Sequence, residues 1–211
     1  VRITSAYSCL KGKGELRMIL GVCGKARSGK DTFAEILAEE IFNSVKKRFV
    51  LMAYAHELKL RVQKDFDLSY DQLWGNQKEI PDNRYPNKSI PGSFWTPREI
   101  MQNYGEFYRS IDYDFWVKNL FRVIDEKEYK NIIVTDVRHP NEVDPIKERK
   151  GFIIKVTSNR ENKEQVHGEN HISETAMDNY NDIDFCVLNE GTLNDLRNTA
   201  KEVVKMLINI K

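Results

Sequence analysis

The stretch MILGVCGKARSGKDTFAEIL, residues 18 to 37, constrains the fold of this chain more than any other. A continuous apolar run ends at Cys23, and two glycines bracket a short polar turn. Phe33, Ile36, Leu37, Ile41 and Val45 then recur at helical spacing. A buried strand that passes through a tight turn into a helix is the opening half of a βαβ unit, whose next strand runs parallel to the first. In the turn, Gly24 and Gly29 allow sharp curvature. Its backbone N–H groups and the helix N-terminus make a nest for an anion. A phosphate suits that nest, with Lys30 reaching toward further phosphates and Arg27 offering a guanidinium for bidentate contact.

The pattern GxxxxGK is ordinarily followed by a Ser or Thr whose hydroxyl meets Mg²⁺. Here that position is Asp31, and Thr32 follows. Two readings are open. The Asp31 carboxylate holds Mg²⁺ directly or through water beside the Thr32 hydroxyl, or it caps the helix N-terminus, where negative charge is favourable.

Downstream, RFVLMAYA reads as a second buried strand and residues 57 to 66 as a helix. Residues 76 to 97, rich in Pro, Asn and charge, read as a long irregular connection of the kind that covers a site. Thr96, Pro97 and Glu99 then signal a helix start with a capping box. DFWVKNLFRVIDEK is an amphipathic helix, NIIVTDVRHP a buried strand with a polar end, and NEVDPIKERKG a short helix. FIIKVTS and IDFCVLNEG are further strands, and TLNDLRNTAKEVVKML is a last helix. The alternation predicts an α/β fold with a mostly parallel sheet flanked by helices, binding ligands beyond the C-terminal strand ends.

Three polar groups lie where such ligands would sit. Asp136 ends a buried strand, as the aspartate of a Walker B element does, and Arg138, Asn141 and Glu142 follow; a plain Asp–Arg ion pair is the alternative. His139, before Pro140, looks structural. Arg98, Gln102, Gly105 and Arg109 share one helical face, either a clamp for a second phosphate or a solvated charged face. Phe115 and Trp116 stack a base or fill the core, and the residues alone favour core. Finally, SNRENKEQVHGENHISETAMDN has the composition of a mobile lid over about residues 158–174. In it Arg160 and Lys163 would close over phosphate and His171 and Glu174 would anchor the far end; a plain surface loop has the same composition.

Composition excludes several classes. Lys plus Arg total 33 against 32 Asp plus Glu, so no global field draws the chain to nucleic acid or membrane. Three widely spaced cysteines without a CxxC pair indicate neither a disulfide framework nor a zinc site, and no apolar run is long enough for a membrane span. A reducing cytoplasm is the simplest setting. Residues 1–17 show no sustained period and read as a disordered or non-native extension before a domain spanning 18–211. Met18 is a candidate initiator, since Lys11-Gly12-Lys13-Gly14-Glu15 must be encoded by a purine-rich string resembling a ribosome-binding site. An intact-mass measurement on the native protein separates the two.

Taken together, GKARSGKDT, AHELK (Ala55 to Lys59), REIMQNYG, DFWVKNLF, TDVRHPNE and HISETAMDN resemble the phage-type deoxynucleoside monophosphate kinases of the P-loop kinase superfamily, over nearly all of residues 18–211. The resemblance implies a P-loop, nucleoside monophosphate kinase-like fold and a homodimer in the cytoplasm. It also implies transfer of the γ-phosphate of ATP, with Mg²⁺, to deoxynucleoside monophosphates for DNA precursor synthesis. The family's loop ends in SGKDT, as here; the GKD ending also occurs in animal-type phosphomevalonate kinases and does not fix the substrate. The resemblance implies ATP contacts from Arg27, Gly29, Lys30, Asp31 and Thr32. On the acceptor side it implies contacts from Lys59, Arg98, Gly105, Trp116, Asp136, Arg138 and Glu142, so that Trp116 touches the nucleotide and the Arg98 face clamps its phosphate. Lys30, Asp136 and Arg138 are the candidate catalytic residues. The chain departs from the family at Ala26, where the phage enzyme carries a lysine, with Lys25 as the adjacent substitute. Another small-molecule P-loop kinase, acting on phosphomevalonate or dephospho-coenzyme A, is the rival reading. A nucleotide-dependent switch is a third, against which no NKxD motif occurs.

Overall fold

The computed structural model describes residues 18–158 and 176–209. Five parallel strands form one sheet: β1 (Met18–Cys23), β2 (Val50–Met52), β3 (Asn131–Val137), β4 (Phe152–Thr157) and β5 (Phe185–Leu188), in the order β2-β3-β1-β4-β5. The helices are α1 (Lys30–Val45), α2 (Ala55–Phe66), α3 (Tyr70–Leu73), α4 (Pro97–Ile111), α5 (Phe115–Glu126), α6 (Pro140–Glu148) and α7 (Leu193–Asn209), with a 3₁₀ turn at Gln77–Glu79. Parallel neighbours need crossovers, and helices cover both faces of the sheet.

One face packs Leu20, Val22, Ile133, Ile154 and Val187 against Phe33 and Leu37 of α1 and Ala200 and Val204 of α7. The other packs Ile19, Ile132, Val134 and Ile153 against Leu120 and Ile124 of α5 and Val143 and Ile146 of α6. Because β1 is buried on both faces, its sequence is a continuous apolar run without alternation. A smaller cluster of Leu58, Val62, Leu68, Leu73, Ile100 and Trp116 joins α2, α3, α4 and α5 beside the sheet.

One expectation needs correcting. The second strand is three residues long and pairs only with β3, so it is the sheet's edge; Val50 and Leu51 are exposed rather than buried. Residues 76–97 are an irregular connection, as expected, apart from the 3₁₀ turn and one isolated bridge, and side-chain bonds hold it in place. Asp82 is buried and accepts from Arg84 Nη2 (2.7 Å), Arg84 Nε (3.0 Å) and Gln72 Nε2 (2.8 Å), and Pro86 and Phe94 form an antiparallel bridge. The Arg84 guanidinium holds the Asp82 carboxyl well below the usual carboxylate range. α3 was not legible as a separate helix, although Ser69 and Gln72 form its capping box. At Thr96 the capping box is as expected, with Glu99 N donating to Thr96 Oγ1 and Thr96 N to Glu99 Oε2.

Candidate functional site

The carboxyl ends of β1 and β3 lie side by side, which brings the glycine-rich turn next to Arg138. Gly24 and Gly29 are required there for different reasons. A Cβ on Gly24 would collide with the Val156 carbonyl of β4. Gly29 sits at φ 85° in the left-handed region, and a Cβ on it would strike Asn189 Nδ2. Asn189 follows β5; its amide donates to the Ser28 carbonyl at 3.0 Å, tying the turn to the far side of the sheet. The sequence reasoning that singled out Asp136, a polar residue just past a parallel strand, applies equally to Asn189, which it missed.

Lys30 is only 6% exposed, and its ammonium lies 3.5 Å from Asp31 Oδ2. Gly29 holds the N-cap position of α1 without a side-chain bond, and Asp31 stands in the first turn with its carboxylate open to solvent. Asp31 is therefore free of capping duty. Thr32 beside it is exposed. Lys25 pairs with Asp178 at 2.9 Å, on the segment leading back to β5. Arg27 has a positive φ of 61° in the same turn.

At β3 the register against β1 slips by one residue between Gly21 and Cys23, placing an extra residue just before the strand end. Such bulges re-aim side chains. Asp136, almost buried, directs Oδ1 to accept from Tyr54 N (2.7 Å) and Oδ2 from Ala55 N (2.9 Å), at the start of α2. It pins the helix that carries Lys59.

Lys59 on α2 and Lys78 in the 3₁₀ turn both lie near charges of the glycine-rich turn. Burial lowers the Lys59 ammonium to about 8, helped by Lys78 and Arg138 and opposed by Asp136 and Asp31. Lys78, in the 3₁₀ turn, is lowered by burial and then by Arg98, Lys30 and Arg138, with Asp31 opposing. Arg98 on α4 pairs with Glu79. Sequence reasoning missed Lys78, which carries no periodic or motif signal in its irregular surroundings.

A second region lies along α4. Glu142 is fully buried and accepts through Oε2 from Arg138 N (2.6 Å) and His139 N (3.1 Å). Its Oε1 faces Arg109 Nη2 at 3.7 Å, and Arg109 also meets Glu106 at 3.2 Å. A cavity of about 390 Å³ opens here, lined by Glu106, Arg109, Ser110, Tyr113, His139 and Pro140, among others. His139 is buried, in keeping with a structural role. Of the expected clamp face, Gly105 and Arg109 reach this region while Arg98 reaches the 3₁₀ turn. Gly105 lies against Leu58, where a Cβ would come within 3.0 Å of Leu58 Cδ1. Trp116 departs from the expected nucleotide contact: it is 2% exposed, and its Nε1 donates to the Gly105 carbonyl at 3.2 Å. The packing of α2, α4 and α5 closes over it. Arg160, Lys163, His171 and Glu174, with the expected lid beyond Ser158, lie outside the described residues.

Burial, followed by the nearby Asp136 charge, raises the Glu142 carboxyl from its ordinary 4.5 to about 7. A raised carboxyl favours its protonated form in the fold, so its contribution to stability is full below about pH 4.5. That contribution declines as pH rises and levels off above about 7. Glu142→Gln keeps the acceptor oxygen and removes the charge. It is expected to raise stability at pH 8 by on the order of 3 kcal/mol, roughly 5–10 °C in melting temperature, with the gap closing at pH 4.5. Melting curves at the two pH values check this; equal melting at pH 8 would contradict it.

The family model described as "Deoxynucleotide monophosphate kinase" matches residues 63–200, which include the Arg98 helix, the Asp136 strand end and Glu142. A protein of Acanthamoeba polyphaga mimivirus named "Putative deoxynucleotide monophosphate kinase" is 25% identical over 192 residues, covering 84% of this chain and 91% of that protein. Among solved structures, a dephospho-CoA kinase from Campylobacter jejuni has a TM-score of 0.43 at 14% identity, covering 90% of this chain and 96% of its own. A sugar kinase from Janibacter sp. HTCC2649 has a TM-score of 0.41 at 13% identity, covering 92% and 95%. With the family model spanning well over half of its length, the chain belongs to the deoxynucleotide monophosphate kinase family.

Proposed function

We propose that this kinase transfers the γ-phosphate of ATP to a deoxynucleoside monophosphate, giving the diphosphate. The observation that carries the reading is the convergence of two basic groups at one end of the sheet. Lys30 belongs to the glycine-rich turn, and Lys59 and Arg138 arrive from α2 and β3. One group suits a donor triphosphate and the other an acceptor phosphate. The mimivirus relative, by its name, supports the same acceptor class.

In this reading the turn amides, Lys30 and Arg27 hold the donor phosphates. Lys59 and Arg138 hold the acceptor phosphate in line with them. The acceptor's sugar and base extend along α4 toward Gly105 and the cavity beside Arg109 and Glu142. Phosphoryl transfer asks for little covalent chemistry, so the residues act by positioning and by meeting charge on the equatorial oxygens. Asp136 is a positioning residue, because both its oxygens serve the start of α2. Asp31 and Thr32 offer an open carboxylate and a hydroxyl, a hard-oxygen pair that fits Mg²⁺. Among the described residues no group of three His, Cys, Asp or Glu surrounds a metal position, which suits an ion held mainly by phosphates and water. When bound, Mg²⁺ would supply neutralisation of the donor phosphates.

ADP release with dAMP, dGMP, dTMP, dCMP, dephospho-coenzyme A and phosphomevalonate as acceptors tests the reading. Turnover is expected with one or more deoxynucleoside monophosphates. Turnover confined to either of the other two acceptors would replace the reading with a different small-molecule kinase.

A further inference from the structure

We propose that Lys78, delivered by the 3₁₀ turn at Gln77–Glu79, binds the acceptor's phosphate together with Lys59. This rests on the acceptor reading above and adds a residue from the segment between α3 and α4. Arg98 stands on the clamp helix α4. Its guanidinium is engaged by Glu79, so the arginine on the clamp helix already has a carboxylate partner and also fixes the 3₁₀ turn against α4. That contact holds Lys78, the neighbour of Glu79, close to the charges of Arg98, Lys30 and Arg138.

Lys59 enters on α2 near Lys78, its ammonium 5.6 Å from the centre of the Trp74 ring. Among the described residues neither Lys59 nor Lys78 forms an ion pair. The nearby carboxylates do not neutralise them. Asp31 lies on the donor side beside Lys30, and Asp136 already accepts from two backbone amides. Two partly buried ammonium groups near one another, each lowered in pKa by burial and by its cationic neighbours, make a site that a dianion would stabilise. A phosphate monoester carries that charge and has an oxygen for each lysine.

The test compares binding, by calorimetry, of each of the four deoxynucleoside monophosphates with its phosphate-free deoxynucleoside, for the full chain and for Lys78→Gln and Lys78→Arg. Lys78→Gln is expected to weaken monophosphate binding at least tenfold and to leave deoxynucleoside and ATP binding within twofold. Lys78→Arg is expected to recover most of the loss. A parallel loss for deoxynucleoside and monophosphate would reveal a merely structural role and overturn the proposal, as would an unchanged monophosphate affinity. Titration with inorganic phosphate, with the glycine-rich turn filled by a saturating non-hydrolysable ATP analogue, reads the acceptor subsite, and equal binding by wild type and Lys78→Gln would overturn the proposal too. A wild-type chain that binds phosphate through Lys78 but phosphorylates no deoxynucleoside monophosphate would sink the acceptor reading alone.

Discussion

Lys30→Met is expected to fold normally and to lose turnover by roughly a hundredfold or more, the scale of removing one preorganised charge from a phosphoryl-transfer site. Two observations underlie the expectation. The lysine is almost wholly buried at the start of α1, and its near neighbour among the carboxylates is Asp31 at 3.5 Å, open to water. Methionine preserves the length of the stem and removes a charge whose burial the fold had to sustain, so stability is expected to hold or rise. In the proposed reading a nucleoside triphosphate, in contrast, loses a cation beside its phosphates. Steady-state turnover together with a melting curve checks both halves, and near-normal turnover would remove Lys30 from the chemistry.

Asp136 is expected to give the largest structural effect. In Asp136→Ala the amides of Tyr54 and Ala55 lose their acceptors at the junction of β3 and α2. Each buried donor left unsatisfied costs about 1–3 kcal/mol, so a loss of roughly 2–5 kcal/mol is expected, or a melting temperature lower by about 5–15 °C. The consequence for function follows from the same two bonds. They fix the first turn of α2, and Lys59 lies one turn further on. Below its melting temperature the variant is therefore expected to show a raised KM for the acceptor and a nearly unchanged KM for ATP. Asp136→Asn, which keeps one acceptor oxygen, should fall between wild type and alanine. A melting temperature within about 2 °C of wild type for the alanine variant would show that the two amides find other partners.

The βα unit around the glycine-rich turn was legible because each local signal agrees with the fold. The apolar run of β1 is buried on both faces, and Phe33, Ile36 and Leu37 form one stripe of α1. The cap at Thr96 was equally plain, since a capping box is written in adjacent residues. The edge position of β2 was not legible: RFVLMAYA has the composition of a buried strand, and only the sheet order leaves Val50 and Leu51 exposed. Trp116 shows the same limit at the site. A tryptophan at the start of an amphipathic helix suits either a core or a base, and the Gly105 carbonyl that receives its N–H lies eleven residues away on another helix. Lys78 and the Asp82–Arg84 pairing that orders its segment depend on contacts that no periodicity encodes. Asp136 was found for its position at a strand end, while its bonds to α2 depend on how β3 and α2 pack.

The most direct test of the central claim follows the γ-phosphate itself. Wild-type protein is incubated with γ-labelled ATP, Mg²⁺ and the four deoxynucleoside monophosphates in turn, and the nucleotides are separated. The account predicts label in the β-position of at least one deoxynucleoside diphosphate, formed at a rate lower by roughly a hundredfold or more when Lys30→Met replaces wild type. Label that stays in ATP or appears only as inorganic phosphate, with every deoxynucleoside monophosphate unchanged, would contradict it.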